Sequence, residues 1–371
     1  MKLKSITFAT AAFAMLSCST VSPFTEITGV VVPEGISEVN IMIGETIDTL
    51  VPVSDGRFSV TLPADVTALA TVVAADFGTN FISDGTPLKI VLDEKTTVES
   101  KHPSISVQER FNAYNEKEAL LMEEYTAAQQ SIYADSLLTD EQKTEKFQAF
   151  FDEFAERYYG HHEEACAANS DNFIAVFALT NLRGQIDDGK MAELVASLAP
   201  ALQEDEYVME MKKALDARIA TSEGKPFVDF TVNSVVGQTR SIPPQPKYAE
   251  VKLSDYVGKG KYILLDFWAP WCGPCKREMP NIKAVYDKYH GDMFDVVSIA
   301  VWERQPVEVT IETAAKLGMT WNQINNGGRE PAELYGVEGI PHLVLFGPDG
   351  TILRRGFHGA EIEEVVSSYL K

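Results

Sequence analysis

Residues 223–371 predict an α/β fold, preceded by a small antiparallel β-domain and a helical middle region. Three observations predict this. The apolar run Lys261-Tyr-Ile-Leu-Leu-Asp-Phe-Trp268 reads as a buried strand, and Met279, Ile282, Val285, Tyr286 and Tyr289 then recur at helical spacing. Between Glu26 and about Ser100, β-branched residues dominate in short runs. From about Ile105 to Ser222 the apolar period becomes helical.

At the N-terminus, Lys2 and Lys4 precede an apolar run from Ile6 to Leu16, too short for a comfortable membrane span. Met15-Leu16-Ser17-Cys18 resembles a bacterial lipobox. That resemblance implies residues 1–17 as a signal peptide and Cys18 as the lipidated N-terminus of a tether over 18–25. The other reading is a secreted protein whose Cys18 is incidental.

The β-domain, residues 26–103, is expected to contain strands at Ile27–Val32, Val39–Ile43, Arg57–Leu62, Leu69–Ala74 and Leu88–Leu92. Ser54-Asp55-Gly56 is a turn signal between two of them. Its start at Ile27-Thr-Gly-Val30 and its Asp55-Gly-Arg-Phe58 hairpin resemble the β-domain ahead of thioredoxin modules in lipoproteins of Bacteroidetes-type bacteria.

The helical region, residues 104–222, has a capping-box sequence at Thr139-Asp-Glu-Gln142. Phe147, Phe150, Phe151, Phe154 and Tyr158 follow at helical spacing. Further helices are expected over 172–182 and 191–198, and Pro200 breaks the pattern.

In the last domain Phe227–Val232 is expected as the first strand, and Ile242-Pro-Pro-Gln-Pro246 as a loop that cannot pair continuously. Strands then follow at 261–268, 294–301, 321–324, 342–346 and 351–355, the last two joined by a turn at Gly347-Pro-Asp-Gly350. Helices are expected over 275–290, 307–317, 331–335 and 361–370.

Composition bounds the function. A net charge of −22 argues against nucleic-acid binding, which needs clustered Lys and Arg. Four cysteines are too few for a disulfide-stapled secreted protein and suit one catalytic pair. Trp271-Cys-Gly-Pro-Cys275 lies where a strand ends and a helix begins. Unpaired N–H groups and the helix dipole stabilise a thiolate there, and the thiolate attacks disulfides.

Asp266-Phe-Trp-Ala-Pro-Trp-Cys-Gly-Pro-Cys-Lys276 resembles the active-site segment of thioredoxin. Pro280 matches the proline within that fold's active-site helix, and Ile340-Pro341 its cis-proline. The separation of Pro341 from Cys275, 66 residues (341 − 275), leaves room for an extra strand–helix pair. That feature, and Glu278 in Cys275-Lys-Arg-Glu278, resemble the membrane-anchored TlpA/ResA group of thiol-disulfide oxidoreductases. The resemblance implies a thioredoxin fold, a central mixed sheet flanked by helices, and no cofactor beyond the redox-active Cys272/Cys275 pair.

Cys272 is the expected nucleophile and Cys275 the resolving thiol. Asp266 occupies the position of thioredoxin's buried carboxylate, which takes the Cys275 proton. The bland reading of Asp266 is a strand-end carboxylate with a backbone partner. Glu278 is a second proton acceptor or a solvated helix residue. Pro341 would let the Ile340 backbone pair with an extended substrate chain, in a substrate face that includes Trp271, Gly273 and Pro274. His342 replaces the family's usual threonine, and is either a cation beside the Cys272 thiolate or a solvent-facing side chain.

A zinc site would need two further ligands, and only His161, His162 and Cys166 cluster elsewhere. The histidines read as a solvated helix end and Cys166 as a small buried hydrophobe, so no metal is expected. Peroxidase chemistry of the related peroxiredoxins uses a Thr-x-x-Cys arrangement, but Ala269 stands at that position.

The expected protein is therefore an envelope-anchored thiol-disulfide oxidoreductase reducing or exchanging disulfides of extracytoplasmic proteins. A reductant there needs a membrane thiol-electron donor, and the family adds cytochrome c maturation as a client pathway. The alternative is a partner-binding lipoprotein whose β-domain and helical region hold the main role, with the C-terminal domain as a docking module.

Overall fold

Alternating burial, with side chains of successive residues pointing to opposite faces, organises the first strands of the chain. In this computed structural model the described residues are 22–44, 46–238 and 245–370. Cys18 and the rest of the expected signal and tether up to residue 21 lie outside them, as does most of the Ile242–Pro246 loop. The chain divides into two compact units, 1–181 and 182–371. The expected helical region 104–222 is shared between them.

The first unit contains β1 (Phe24–Val31), β2 (Glu38–Ile43), β3 (Ile47–Pro52), β4 (Arg57–Pro63), β5 (Asp65–Ala74), β6 (Phe77–Ser83), β7 (Leu88–Leu92) and β8 (Thr97–Ser100). They form two four-stranded sheets, in the orders β4-β1-β7-β8 and β3-β2-β5-β6. Ile27, Ile41, Val72, Phe81, Leu88 and Ile90 fill the core with no exposed surface. One pairing departs from the expected antiparallel domain: β1 runs parallel to β7. The three strands not anticipated, β3, β6 and β8, all lie at sheet edges. β3 buries only Val51 and β8 only Val98, so neither has a strong apolar alternation, whereas β6 buries Phe81, Ile82 and Ser83 in succession.

Long helices α1 (Val107–Ala134) and α2 (Asp140–Ala168) follow, then α3 (Phe173–Leu182). The Thr139 hydroxyl accepts from Gln142 N, and Gln142 returns the bond to the Thr139 backbone, as the sequence pattern anticipates. His161 and His162 depart from the expected solvated helix end. Both are buried against Tyr114, whose ring stacks on His161 and whose hydroxyl lies 2.7 Å from His162 Nδ1. Cys166 is buried and unpaired, and burial raises its thiol pKa to about 11.

The second unit begins with α4 (Asp188–Ala196), α5 (Pro200–Gln203) and α6 (Glu206–Ala220). A two-stranded ribbon of β9 (Thr231–Gln238) and β10 (Pro246–Lys252) precedes the main sheet. Residues 227–230, expected as strand, are instead loop. Val228 bonds through both its backbone groups to the Tyr335 hydroxyl, which removes them from a ladder.

The remaining elements are β11 (Tyr262–Trp268), α7 (Gly273–Tyr289), β12 (Phe294–Ala300), α8 (Val307–Lys316), β13 (Asn322–Ile324), α9 (Glu330–Leu334), β14 (His342–Phe346), β15 (Ile352–Arg355) and α10 (Glu361–Tyr369). The sheet order is β13-β12-β11-β14-β15. β12 and β13 are parallel to β11, whereas β14 is antiparallel to it. This is the thioredoxin fold expected for the C-terminal domain, with β13 and α9 using the extra length before Pro341.

Each face of the sheet has its own core. Leu264 and Trp268 of β11 join Val296 and Ala300 of β12 in one layer, with Cys272, Cys275 and the buried face of α7. Ile263, Leu265 and Phe267 project to the opposite layer with Val344, Tyr335 and Phe346.

Candidate active site

Tyr262–Trp268 is apolar except at Asp266, so it crosses the sheet as a central buried strand and delivers its C-terminal end to a tight turn. Cys272 sits at the N-cap of α7, with Pro274 in the first helical turn, where a missing N–H costs nothing. Its sulfur accepts from Cys275 N at 3.0 Å, taking the role usually played by a Ser or Asp oxygen. Cys272 and Cys275 form a disulfide, with Cα atoms 5.3 Å apart. Gly273 and Pro274 between them are exposed.

The Ile340–Pro341 peptide bond is cis, and Ile340 O lies 3.6 Å from Cys272 Sγ. Pro274 and Pro341 line a shallow depression with Arg277, Glu278 and His358. Trp271 is half-buried, and its indole N–H donates to Trp302 O at 3.1 Å. The Arg304 guanidinium stacks over the Trp271 ring, 4.2 Å from its centroid. The structure thus brings Trp271, Cys272, Pro274, Cys275, Ile340 and Pro341 together at the end of β11.

Asp266 lies between Leu264 and Trp268 on their side of β11, hence on the cysteine side of the sheet. It is fully buried. Loss of hydration raises its carboxyl pKa to about 7, a hydrogen bond from Ser298 pulls it down, and the nearby Glu278 charge raises it. Ser298 Oγ donates to Asp266 Oδ2 at 2.8 Å, and the backbone partner of the bland reading is absent among the described residues. Glu278 is largely buried rather than a solvated helix residue, with 10% of its side chain exposed. Its Oε1 accepts from Asn281 Nδ2 at 2.8 Å and Gly359 N at 3.0 Å, which ties α7 to the loop before α10.

His342 corrects an expectation. It opens β14 opposite Phe267, one residue before Leu343, so period-two alternation turns it to the layer away from Cys272. Its ring packs on Phe267. Its Nε2 lies 3.2 Å from Arg355 Nη2. Burial first, and the Arg355 charge second, lower its pKa to about 3. The imidazole is neutral and is no cation for the Cys272 thiolate.

Sequence reading missed Ser298, Trp321, Trp302, Arg304 and Arg355. Ser298 left a signal, a single hydroxyl in the otherwise apolar Val296–Ala300 run, and the structure puts it in register with Asp266. Trp302 follows the C-terminal end of β12, beside the end of β11 where the cysteines lie. Among the described residues no His, Cys, Asp and Glu group could hold a metal ion, and no helix is long and apolar enough to cross a membrane.

Residues 224–355 match the AhpC/TSA family. The thiol-disulfide oxidoreductase ResA of Bacillus thuringiensis subsp. konkukian is 26% identical over 149 residues, 40% of this chain and 76% of that protein. ResA of Geobacillus thermodenitrificans is 26% identical over 154 residues, 42% of this chain and 79% of that protein. Among solved structures, the thioredoxin domain of a thiol-disulfide oxidoreductase from Bacteroides vulgatus is 23% identical, with a TM-score of 0.34, covering 40% of this chain and 99% of that one. A thiol:disulfide interchange protein DsbE described from Chlorobium tepidum is 25% identical, with a TM-score of 0.32, covering 40% and 96%.

Proposed function

We propose that this ResA-like thiol-disulfide oxidoreductase reduces or exchanges disulfides of extracytoplasmic proteins through Cys272 and Cys275. The observation behind the reading is the Cys272–Cys275 disulfide at the α7 N-terminus, facing Ile340 O beside cis-Pro341.

In the reduced enzyme the Cys272 thiolate is the attacking group, favoured by the α7 dipole and the Cys275 N–H. It bonds to one sulfur of the substrate disulfide. The substrate S–S bond breaks, and the other sulfur leaves as a thiolate that takes a proton from water. Cys275 then gives its proton to Asp266 and attacks Cys272 Sγ. The mixed disulfide breaks, the second substrate thiol is released, and the Cys272–Cys275 bond forms. The substrate gains two electrons and the enzyme pair loses them. A membrane dithiol donor restores the pair by the same exchange.

An acceptor that ionises near neutrality suits the Cys275 proton, and Asp266 has that property. Trp271, Pro274, Ile340 and Pro341 form the docking face for an extended client chain. Ala269 is buried three residues before Cys272, and its methyl group offers no hydrogen bond to a peroxide. This favours disulfide exchange over peroxidase chemistry. Cys18 would anchor the protein in the envelope, and lipid on that residue is testable by mass spectrometry of the mature N-terminus.

The test uses a peptide disulfide. Cys272→Ser removes exchange, and Cys275→Ser accumulates a mixed disulfide through Cys272, identified by peptide mapping. A trapped adduct on Cys275 in the Cys272→Ser chain would reverse the roles and overturn the reading.

A further inference from the structure

Ser298 interrupts the buried run Val296–Ala300 and stands in register with Asp266 on the neighbouring strand. It is fully buried. Two hydrogen bonds meet at its hydroxyl. Trp321 Nε1 donates to Ser298 Oγ at 2.8 Å, and Ser298 Oγ donates to Asp266 Oδ2 at 2.8 Å. For the ionised carboxylate the direction is forced by chemistry. An indole N–H only donates, so it occupies a lone pair of the serine oxygen. The hydroxyl has one proton, and that proton is left for the carboxyl group.

The other carboxyl oxygen, Oδ1, is buried and has no hydrogen-bond partner among the described residues. One oxygen of Asp266 is therefore held and the other is left open. Asp266, Ser298 and Trp321 all lie on the cysteine side of the sheet.

We propose that Ser298 and Trp321 are positioning residues that fix Oδ2 of Asp266, reserve Oδ1 as the proton-accepting atom for Cys275, and set the pH range of that transfer. This rests on the reading of Asp266 as the Cys275 proton acceptor. The transfer breaks the Cys275 S–H bond and forms an O–H bond at Oδ1. The thiolate attacks Cys272 Sγ, the substrate sulfur leaves with the electron pair of the mixed disulfide, and Asp266 returns its proton to that thiolate or to water.

The groups around Asp266 define the expected sign. α7 contributes Cys275 and the charged Glu278, β12 contributes the neutral Ser298, β14 contributes apolar Leu343, and Trp321 precedes β13. Ser298 donates to the ionised carboxylate and so favours it. Without the donor, Asp266 ionises at higher pH and accepts the proton only at higher pH.

The experiment uses the reduced full chain and a peptide disulfide whose two halves bear different fluorophores. The first release reports attack by Cys272, and the second reports attack by Cys275. Ser298→Ala is expected to move the acid midpoint of the second release upward by about one pH unit, the scale of one hydrogen bond to a charged group. Trp321→Phe moves it in the same direction and by less. Ser298→Thr retains the donor and keeps the midpoint. The first release keeps its pH dependence in all three. An unmoved midpoint in Ser298→Ala, with the dependence abolished in Asp266→Asn, overturns this inference and leaves Asp266 as acceptor. An unmoved midpoint in Asp266→Asn overturns the acceptor reading itself, and this inference with it. If the Ser298→Ala chain fails to fold, Trp321→Phe decides on the same criterion.

Discussion

Arg355 Nη2 and His342 Nε2 lie 3.2 Å apart, on the side of the central sheet away from Cys272. A guanidinium has only donors, so Nε2 of His342 is the acceptor and the ring is neutral. The same guanidinium donates to Thr221 Oγ1 at 2.6 Å and to Tyr335 O at 2.7 Å. His342 therefore belongs to a buried network joining the end of α6, the residue after α9 and the start of β14.

Replacing His342 by Thr is expected to leave the Cys272 alkylation-versus-pH curve superimposable on that of the parent chain. The cost appears in stability, because Arg355 loses a buried acceptor, a loss of about 1–3 kcal/mol. Urea unfolding measures it. A shifted alkylation curve would restore His342 to the redox site.

Acid should weaken the fold through histidines that are buried neutral. The pKa of His342 is lowered to about 3 and that of His162 to about 4, both mainly by burial. The unfolded chain binds protons near the ordinary value of about 6.5. Between that value and the folded ones the unfolded state holds more protons, so stability falls as pH falls through the window. The limiting slope is about 1.4 kcal/mol per pH unit for each histidine. Urea midpoints from pH 7 to 4.5 should fall less steeply in His162→Gln than in the parent chain. Equal slopes would refute the linkage.

Glu278→Gln is expected to move the acid midpoint of mixed-disulfide resolution downward, opposite to Ser298→Ala. The Glu278 charge raises the Asp266 pKa, whereas a neutral amide oxygen can still accept from Gly359 N and Asn281. An upward shift would show that Glu278 acts as an acceptor rather than as a neighbouring charge.

Cys166 should resist alkylation in the folded chain. It has no exposed surface, and its thiol pKa is raised to about 11 by burial. After mild reduction, iodoacetamide at pH 8 is expected to modify Cys272 first, with Cys166 labelled only in denaturant. Mass mapping with and without urea checks this, and rapid native labelling of Cys166 would contradict it.

What was legible in the sequence was local. The Tyr262–Trp268 run, Cys272 at a helix start, the Thr139–Gln142 cap and the Gly347–Gly350 turn each depend on residues close in the chain, so their patterns survive in one dimension. The strands β3 and β8 did not, because each buries a single residue, and β6 did not, because Phe81, Ile82 and Ser83 are buried in succession rather than in alternation. The buried state of His161 and His162 also escaped, since Tyr114 reaches them from another helix.

By itself, then, the sequence determined the redox pair, its strand-to-helix setting and the α/β order of the C-terminal domain. Only the tertiary structure decided which side of the sheet His342 faces and which groups surround Asp266. Sheet register sets the first, because a one-residue step reverses the face of a side chain. Packing sets the second. Ser298 reaches Asp266 from 32 residues away in the chain (298 − 266), Trp321 in turn holds Ser298 from 23 residues further on (321 − 298), and a carboxyl group's ionisation depends on such neighbours and on excluded water.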